Sequence, residues 1–208
     1  MEIITNPDTF MWRNRNVGFA LPIAVVLTAA ALGSVSGYLV APAAVEMARN
    51  SLDELGLSGE QIEGVLQFVY YSVIFSPFIT TFAMWLIVSA VIYAISAIFG
   101  GRGSFGDLLK LMSFSFVPTI LLSPVTIYLS YESSKYLAYG LEVYMQNYVA
   151  QALLNIALLI WQYLYWVYAV KNARGLSLGK SAIAAAIPMV AILVMALISL
   201  SSQLSAIL

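Results

Sequence analysis

The chain has 208 residues, 62% of them hydrophobic and 9% charged, with a formal net charge of −1. A soluble domain carries about a quarter charged residues, so this composition cannot clothe a water-facing surface and excludes a soluble enzyme. Cys and His are both absent, which removes disulfides, thiol nucleophiles, Cys/His metal centres and Ser–His catalytic pairs.

Five runs contain no Asp, Glu, Lys or Arg: residues 16–45, 64–101, 111–131, 143–170 and 181–208. Each reaches the roughly 20 apolar residues that cross about 30 Å of hydrocarbon as a helix. They are continuously apolar and do not alternate, which favours helices over a β-barrel. The fold expected is an all-α integral membrane protein, a bundle of about five transmembrane helices forming one domain over 1–208. The expected spans are approximately 17–45, 64–100, 107–131, 147–171 and 180–205. Arg13 and Arg15 ahead of an apolar stretch imitate a signal peptide, but the run continues to Val45 and reads as an uncleaved first span.

The first span carries Gly33 and Gly37, a Gly-x-x-x-Gly pair extended by Ala29 and Ala41. Such a small-residue stripe lets two helix backbones approach closely, within the chain or across a homo-oligomer. Ser58-Gly59-Glu60-Gln61 reads as a capping box opening the second helix, and Gly100-Gly101 ends it. Ser104, with Asp107 three residues on, reads as the start of the third helix; Asp107 is either a capping acid or a contact residue. Pro77, Pro118 and Pro124 within spans imply kinks, with Ser115 or a neighbouring helix serving the carbonyl that Pro118 frees.

The fourth span is the polar one. Gln151, Asn155 and Gln162 fall close to one helix face, where they either bond neighbouring helices or line a path. Trp161, Tyr163, Tyr165, Trp166 and Tyr168 near its end read as an interfacial aromatic belt. Gly175 stops this helix and Ser177 opens the fifth. In the polar stretch before it, Leu137, Leu141, Tyr144 and Tyr148 recur at helical spacing, as an interfacial helix or a span extension requires.

Charge placement orients the bundle. Arg13, Arg15, Arg102, Lys110, Lys171, Arg174 and Lys180 collect on one side, against Arg49 and Lys135 on the other. The positive-inside rule then puts the N-terminus in the cytoplasm and the C-terminus outside. Glu46, Asp53, Glu54, Glu60, Glu63, Glu132 and Glu142 all fall on the external side. No ionisable side chain lies inside the five runs, so proton relays and intramembrane proteolysis lack their usual groups. No cofactor and no nucleic-acid partner is expected.

Gly101-Arg102-Gly103-Ser104-Phe105-Gly106-Asp107-Leu108-Leu109, followed by Ser113-Phe114-Ser115-Phe116-Val117-Pro118, resembles the Yip1-domain family. The later Lys171-Asn172-Ala173-Arg174-Gly175-Leu176-Ser177-Leu178-Gly179-Lys180-Ser181, with Pro188 beyond, is similar to the region before that family's last span, and Asn6-Pro7 and Phe10 agree. The resemblance implies five spans with a cytoplasmic N-terminus. It also implies a membrane organiser or adaptor that binds membrane proteins or lipids without chemical turnover. Ser113, Phe114 and Pro118 stand where family members often carry Gly-Tyr-x-x-x-Pro. Eukaryotic members associate with Rab-type GTPases and have a long cytoplasmic N-terminal region with an acidic Tyr-Gly-Pro signature. This chain has about sixteen residues before its first span and so departs from the GTPase-binding pattern. The likeness is to the short prokaryotic relatives, which makes a cell-membrane location the expectation. A small channel or transporter, with its path beside the kinked helices and the fourth span, is the alternative.

Overall fold

The computed structural model describes residues 2–53, 58–136 and 141–205, apart from the side chains of 53, 136, 141–148 and 203–205. Expectations placed on Leu137, Leu141, Tyr144 and Tyr148, and on the Asp53, Glu54 and Glu142 side chains, lie outside these described residues.

All described regular structure is helical. Two short helices, α1 (Glu2–Thr5) and α2 (Pro7–Arg13), precede α3 (Ala20–Asp53) and α4 (Gly59–Ile98). Then come α5 (Phe105–Met112), a 3-10 turn over Ser113–Phe116, α6 (Val117–Tyr136), α7 (Leu141–Arg174) and α8 (Leu178–Ser205). Five segments are long and apolar enough to cross a membrane: Ala20–Leu52, Gly59–Ile98, Phe105–Lys135, Val149–Arg174 and Leu178–Ser202. Phe68, Ile79, Ile98 and Met195 are among many large apolar side chains left on the outer surface, the exposure that a membrane-facing surface carries.

Local chemistry sets the helix ends. The Ser58 hydroxyl accepts from the Gln61 amide at 3.4 Å while Gln61 Oε1 accepts from the Ser58 amide at 3.1 Å, a complete capping box for α4. Gly100 (φ +87°) and Gly175 (φ +64°) take the left-handed conformation that turns the chain out of α4 and α7. Ser104 caps α5, its hydroxyl accepting from the Asp107 amide at 3.1 Å.

The third span is not one continuous α-helix. Pro118 offers no N–H to Phe114 O, and the chain tightens by one residue so that Val117 N–H donates to Phe114 O instead. Ser115 does not serve that carbonyl; its hydroxyl donates to Met112 O at 2.8 Å, and Ser113 donates to Lys110 O at 2.7 Å. The proline's orphan acceptor is thus satisfied within the backbone.

The core lies at the end of the bundle holding α2, α5 and the α7–α8 turn. Met11, Ile92, Leu108, Leu111, Phe114, Val170 and Ala184 are all buried there. Trp85 of α4 donates to Leu109 O at 2.9 Å, fastening α5 across it. Residues 2–13, which the sequence left without a role, close the same end. Asn6 caps α2 and Pro7 opens it. Phe10 meets Phe114 edge-on with centroids 5.0 Å apart, and Tyr165 donates to Ile3 O at 2.8 Å. This corrects the aromatic-belt reading of Tyr165 and Trp166: both are core residues, Tyr165 beneath α1 and Trp166 among Trp85, Val88, Met112 and Ile192 of α4, α5 and α8.

Candidate functional site

A cavity of about 520 Å³ lies among α3, α4, α6 and α7. It brings together two groups singled out separately in the sequence, Gly33 and Gly37 from α3 and Gln151, Asn155 and Gln162 from α7. Each arrives there for a physical reason. Pro77 in α4 withdraws the donor that Val73 O would otherwise have within the helix. The side-chain-free face of Gly37 lies directly against that carbonyl, and a Cβ at Gly33 would sit 3.1 Å from Pro77 Cβ. The glycine stripe is therefore a seam within the chain, between α3 and α4, and one wall of the cavity.

The opposite wall is made by hydrogen bonds between spans. Gln151 Nε2 donates to Ser130 Oγ at 2.9 Å and Gln162 Nε2 donates to Thr119 Oγ1 at 2.8 Å, tying α7 to α6 at two levels. Each such bond is worth about 0.6 kcal/mol between membrane helices. Asn155 lines the cavity between them and makes no side-chain hydrogen bond among the described residues. Among the described residues, no lining residue is charged. The arrangement suits an uncharged guest, a lipid tail or an apolar helix with a few polar groups.

The other sequence candidates lie elsewhere. Ser113, Phe114 and Pro118 are buried at the 3-10 turn, Phe114 against Phe10. Both Asp107 oxygens are occupied: Oδ2 accepts from Ser104 Oγ at 2.6 Å and Oδ1 pairs with Lys110 Nζ at 2.9 Å. That geometry is a helix start. Asp107→Asn is expected to lower stability by about 1 kcal/mol through the cap and dipole, with any partner capture falling only in step; capture lost at unchanged melting temperature would show a contact residue instead.

Sequence reasoning missed a polar cluster at the end carrying most of the positive charge. Lys171 Nζ donates to Asp8 Oδ2, and Asn172 Nδ2 donates to Asp8 Oδ1 at 3.0 Å. Burial pushes the Asp8 carboxyl up, but the hydrogen bonds from Lys171 and Asn172 outweigh it and hold the group below the ordinary aspartate range. A depressed folded-state value means the clasp stabilises the docked N-terminus above about pH 4 and is lost as pH falls through the lower folded value. Protection of residues 2–13 from hydrogen exchange, measured relative to the intrinsic rate at each pH, should therefore fall below about pH 4 in the wild type. Asp8→Asn should show fast exchange there already at pH 7.

Arg174 is the second missed feature. It is 3% exposed, with Nε donating to Ser96 Oγ at 3.0 Å, Nη2 to Gly101 O at 2.9 Å, and the guanidinium 4.1 Å above the Tyr93 ring. Its residue type is easily read as a topology signal, and its burial comes from the distant Gly100–Gly103 turn folding onto it.

The Yip1 domain family profile matches residues 1–200. An uncharacterised protein of Methanocaldococcus jannaschii is similar, 29% identical over 133 residues that cover 63% of this chain and 87% of that protein. No solved structure matches the chain.

Proposed function

The chain belongs to the Yip1 domain family, and from that premise we propose that this multi-pass membrane protein is a non-enzymatic organiser that holds other membrane proteins or lipids. The observation that carries the reading is the uncharged cavity among α3, α4, α6 and α7, whose glutamines are engaged with neighbouring spans. Such a site receives an apolar guest and has no charge with which to move an ion. The chain acts as one domain, in the cell membrane, with the seven-residue basic end in the cytoplasm and the other end outside. The similarity to an archaeal protein supports a prokaryotic setting.

A photo-crosslinking residue at Ile127, on the cavity wall, should give discrete adducts in native membranes that are absent when the probe sits at Val194. Indistinguishable adduct patterns from the two positions would remove the cavity as the binding place. Transport is the second reading, favoured by the free Asn155 amide. It predicts solute flux in proteoliposomes that Asn155→Leu abolishes, whereas the organiser reading expects none. Tags at Met1 and in the Gly175 turn should both label from the cytoplasmic side and a tag after Leu208 from outside; Met1 and Leu208 on one side would overturn the five-span orientation.

A further inference from the structure

We propose that the pocket between the α4–α5 and α7–α8 turns binds the phosphate of an anionic lipid headgroup through Arg102, Arg174 and Lys180. This site is separate from the intramembrane cavity and does not depend on what that cavity holds. The pocket has a volume of about 570 Å³, and all three cations line it. None of the ion pairs among the described residues involves any of them. A buried guanidinium without a carboxylate is costly to keep, and Arg174 Nη1 makes no hydrogen bond among the described residues.

The hydrogen-bond balance of the two turns points the same way. The carbonyls ending α4 and α7 already have donors: Gly100 N–H donates to Ala97 O at 3.0 Å, Gly101 N–H to Ser96 O at 3.0 Å and Gly175 N–H to Lys171 O at 3.0 Å. Arg102 N–H takes Arg174 O at 3.1 Å, and Lys180 Nζ reaches Phe99 O at 3.3 Å. What remains is donors. The first intrahelical bond of α8 runs from Ser181 N–H to Ser177 O, which leaves the amides of Leu178, Gly179 and Lys180 without helical acceptors. The first turn of α8 holds no acidic residue, and Ser177 makes no side-chain cap among the described residues. A positive helix end and three cations, with their acceptors used up, constitute a phosphate-binding arrangement.

A membrane lipid, more than free phosphate, fits the surroundings. The pocket opens where two long apolar helices end and begin. Ile98 beside it is 84% exposed, and Leu178 and Ile183 on α8 are exposed as well. A headgroup seated on the cations would lay its acyl chains along this apolar wall, the usual division of labour for basic pockets between spans.

The test uses the full chain in phosphatidylcholine nanodiscs with and without phosphatidylglycerol, read by native mass spectrometry and by melting temperature. Phosphatidylglycerol should be retained and should raise the melting temperature. R102Q/K180Q should bind it at least about tenfold more weakly, two surface charges being removed, while its melting temperature in phosphatidylcholine alone falls only slightly, through loss of the exposed Lys180–Phe99 bond. R102Q alone, in a side chain with no structural bond, should lose about fivefold, and it decides the matter should the double variant fail to fold. Wild-type retention in these variants, or an equal loss in R13Q/R15Q at the same end, would overturn the site in favour of diffuse attraction. Inorganic phosphate should leave the melting temperature in phosphatidylcholine unchanged. Equal stabilisation by inorganic phosphate, with the same dependence on Arg102 and Lys180, would overturn the lipid and make the ligand a soluble anion.

Discussion

Gly37→Leu should destabilise the protein by about 3 kcal/mol or more in detergent, at the upper end of what overpacking costs. The reason is what the new side chain would meet. Its Cβ would press on the carbonyl oxygen and backbone of Val73 and on Ile74 Cα, all main-chain atoms of α4. No side-chain rotamer can relieve such a clash, so α3 and α4 must separate. Val73 O is the carbonyl left without a helical donor by Pro77, and separation also uncovers that group. Gly33→Ala makes the contrast: its Cβ would stand 3.1 Å from Pro77 Cβ, a squeeze of a few tenths of an ångström, and should cost less than about 1 kcal/mol. Because the seam lies within one chain, oligomer size on gel filtration should stay constant for both variants. An unchanged melting temperature with an altered oligomer in Gly37→Leu would place the glycine face between copies instead.

The five long helices are legible because hydrocarbon-length apolar runs admit few other structures. Their caps are legible because Ser58, Ser104, Gly100 and Gly175 act on neighbours three or four residues away. The cavity was half legible. Gln151, Asn155 and Gln162 share a face by periodicity alone, but their meeting with Gly33 and Gly37 depends on how α3 and α7 pack about α4 and α6. Nothing local in the sequence encodes that. The break at Ser113–Phe116 shows a different limit. Pro118 announced a lost bond, yet whether the chain kinks, borrows a serine or tightens to 3-10 depends on small energy differences.

The misread aromatics follow from missing long-range contacts. Tyr165 and Trp166 sit where a belt would sit; α1 folding over α7 makes the first core, and the packing of α4, α5 and α8 around α7 makes the second. Helices of four and seven residues are too short to hold themselves in water and leave a faint pattern. They exist because Met11 and Phe10 find buried partners and Asp8 finds Lys171. Residues 2–13 are thus committed to the bundle, and the family resemblance at Asn6-Pro7 and Phe10 falls on residues that do this docking.

Arg174→Met is expected to cost about 2–3 kcal/mol and to loosen the turn at Gly100–Gly103 specifically. Arg174 brackets that turn from inside: Nη2 holds Gly101 O, Nε holds Ser96 Oγ, and the ring of Tyr93 supports the guanidinium plane. The glycines let the turn lie this close to the end of α7. A Cβ on Gly101 would fall 2.9 Å from Arg174 Nε, and one on Gly103 would collide with Ala173 O. Methionine fills similar volume and removes the desolvation cost of the charge, which offsets part of the loss. Ser96 keeps a partner through its own bond to Tyr93 O at 2.8 Å. Gly101 O loses its donor, and the charged bonds that vanish are worth about 1.5–3 kcal/mol apiece before that offset. Arg174→Lys restores the charge but not the fork, since one ammonium on a flexible stem cannot hold both acceptors and stack on Tyr93. It should recover less than half of the lost stability. Hydrogen exchange at Gly101 and Arg102 should rise in both variants, because Arg102 N–H is bonded to Arg174 O and the turn is no longer pinned. Exchange at residues 2–13, held by Asp8, Phe10 and Ile3, should stay slow. Wild-type protection of the turn in Arg174→Met would mean that Gly100–Gly103 is held by its own backbone bonds, and that the buried arginine serves only the pocket beside it.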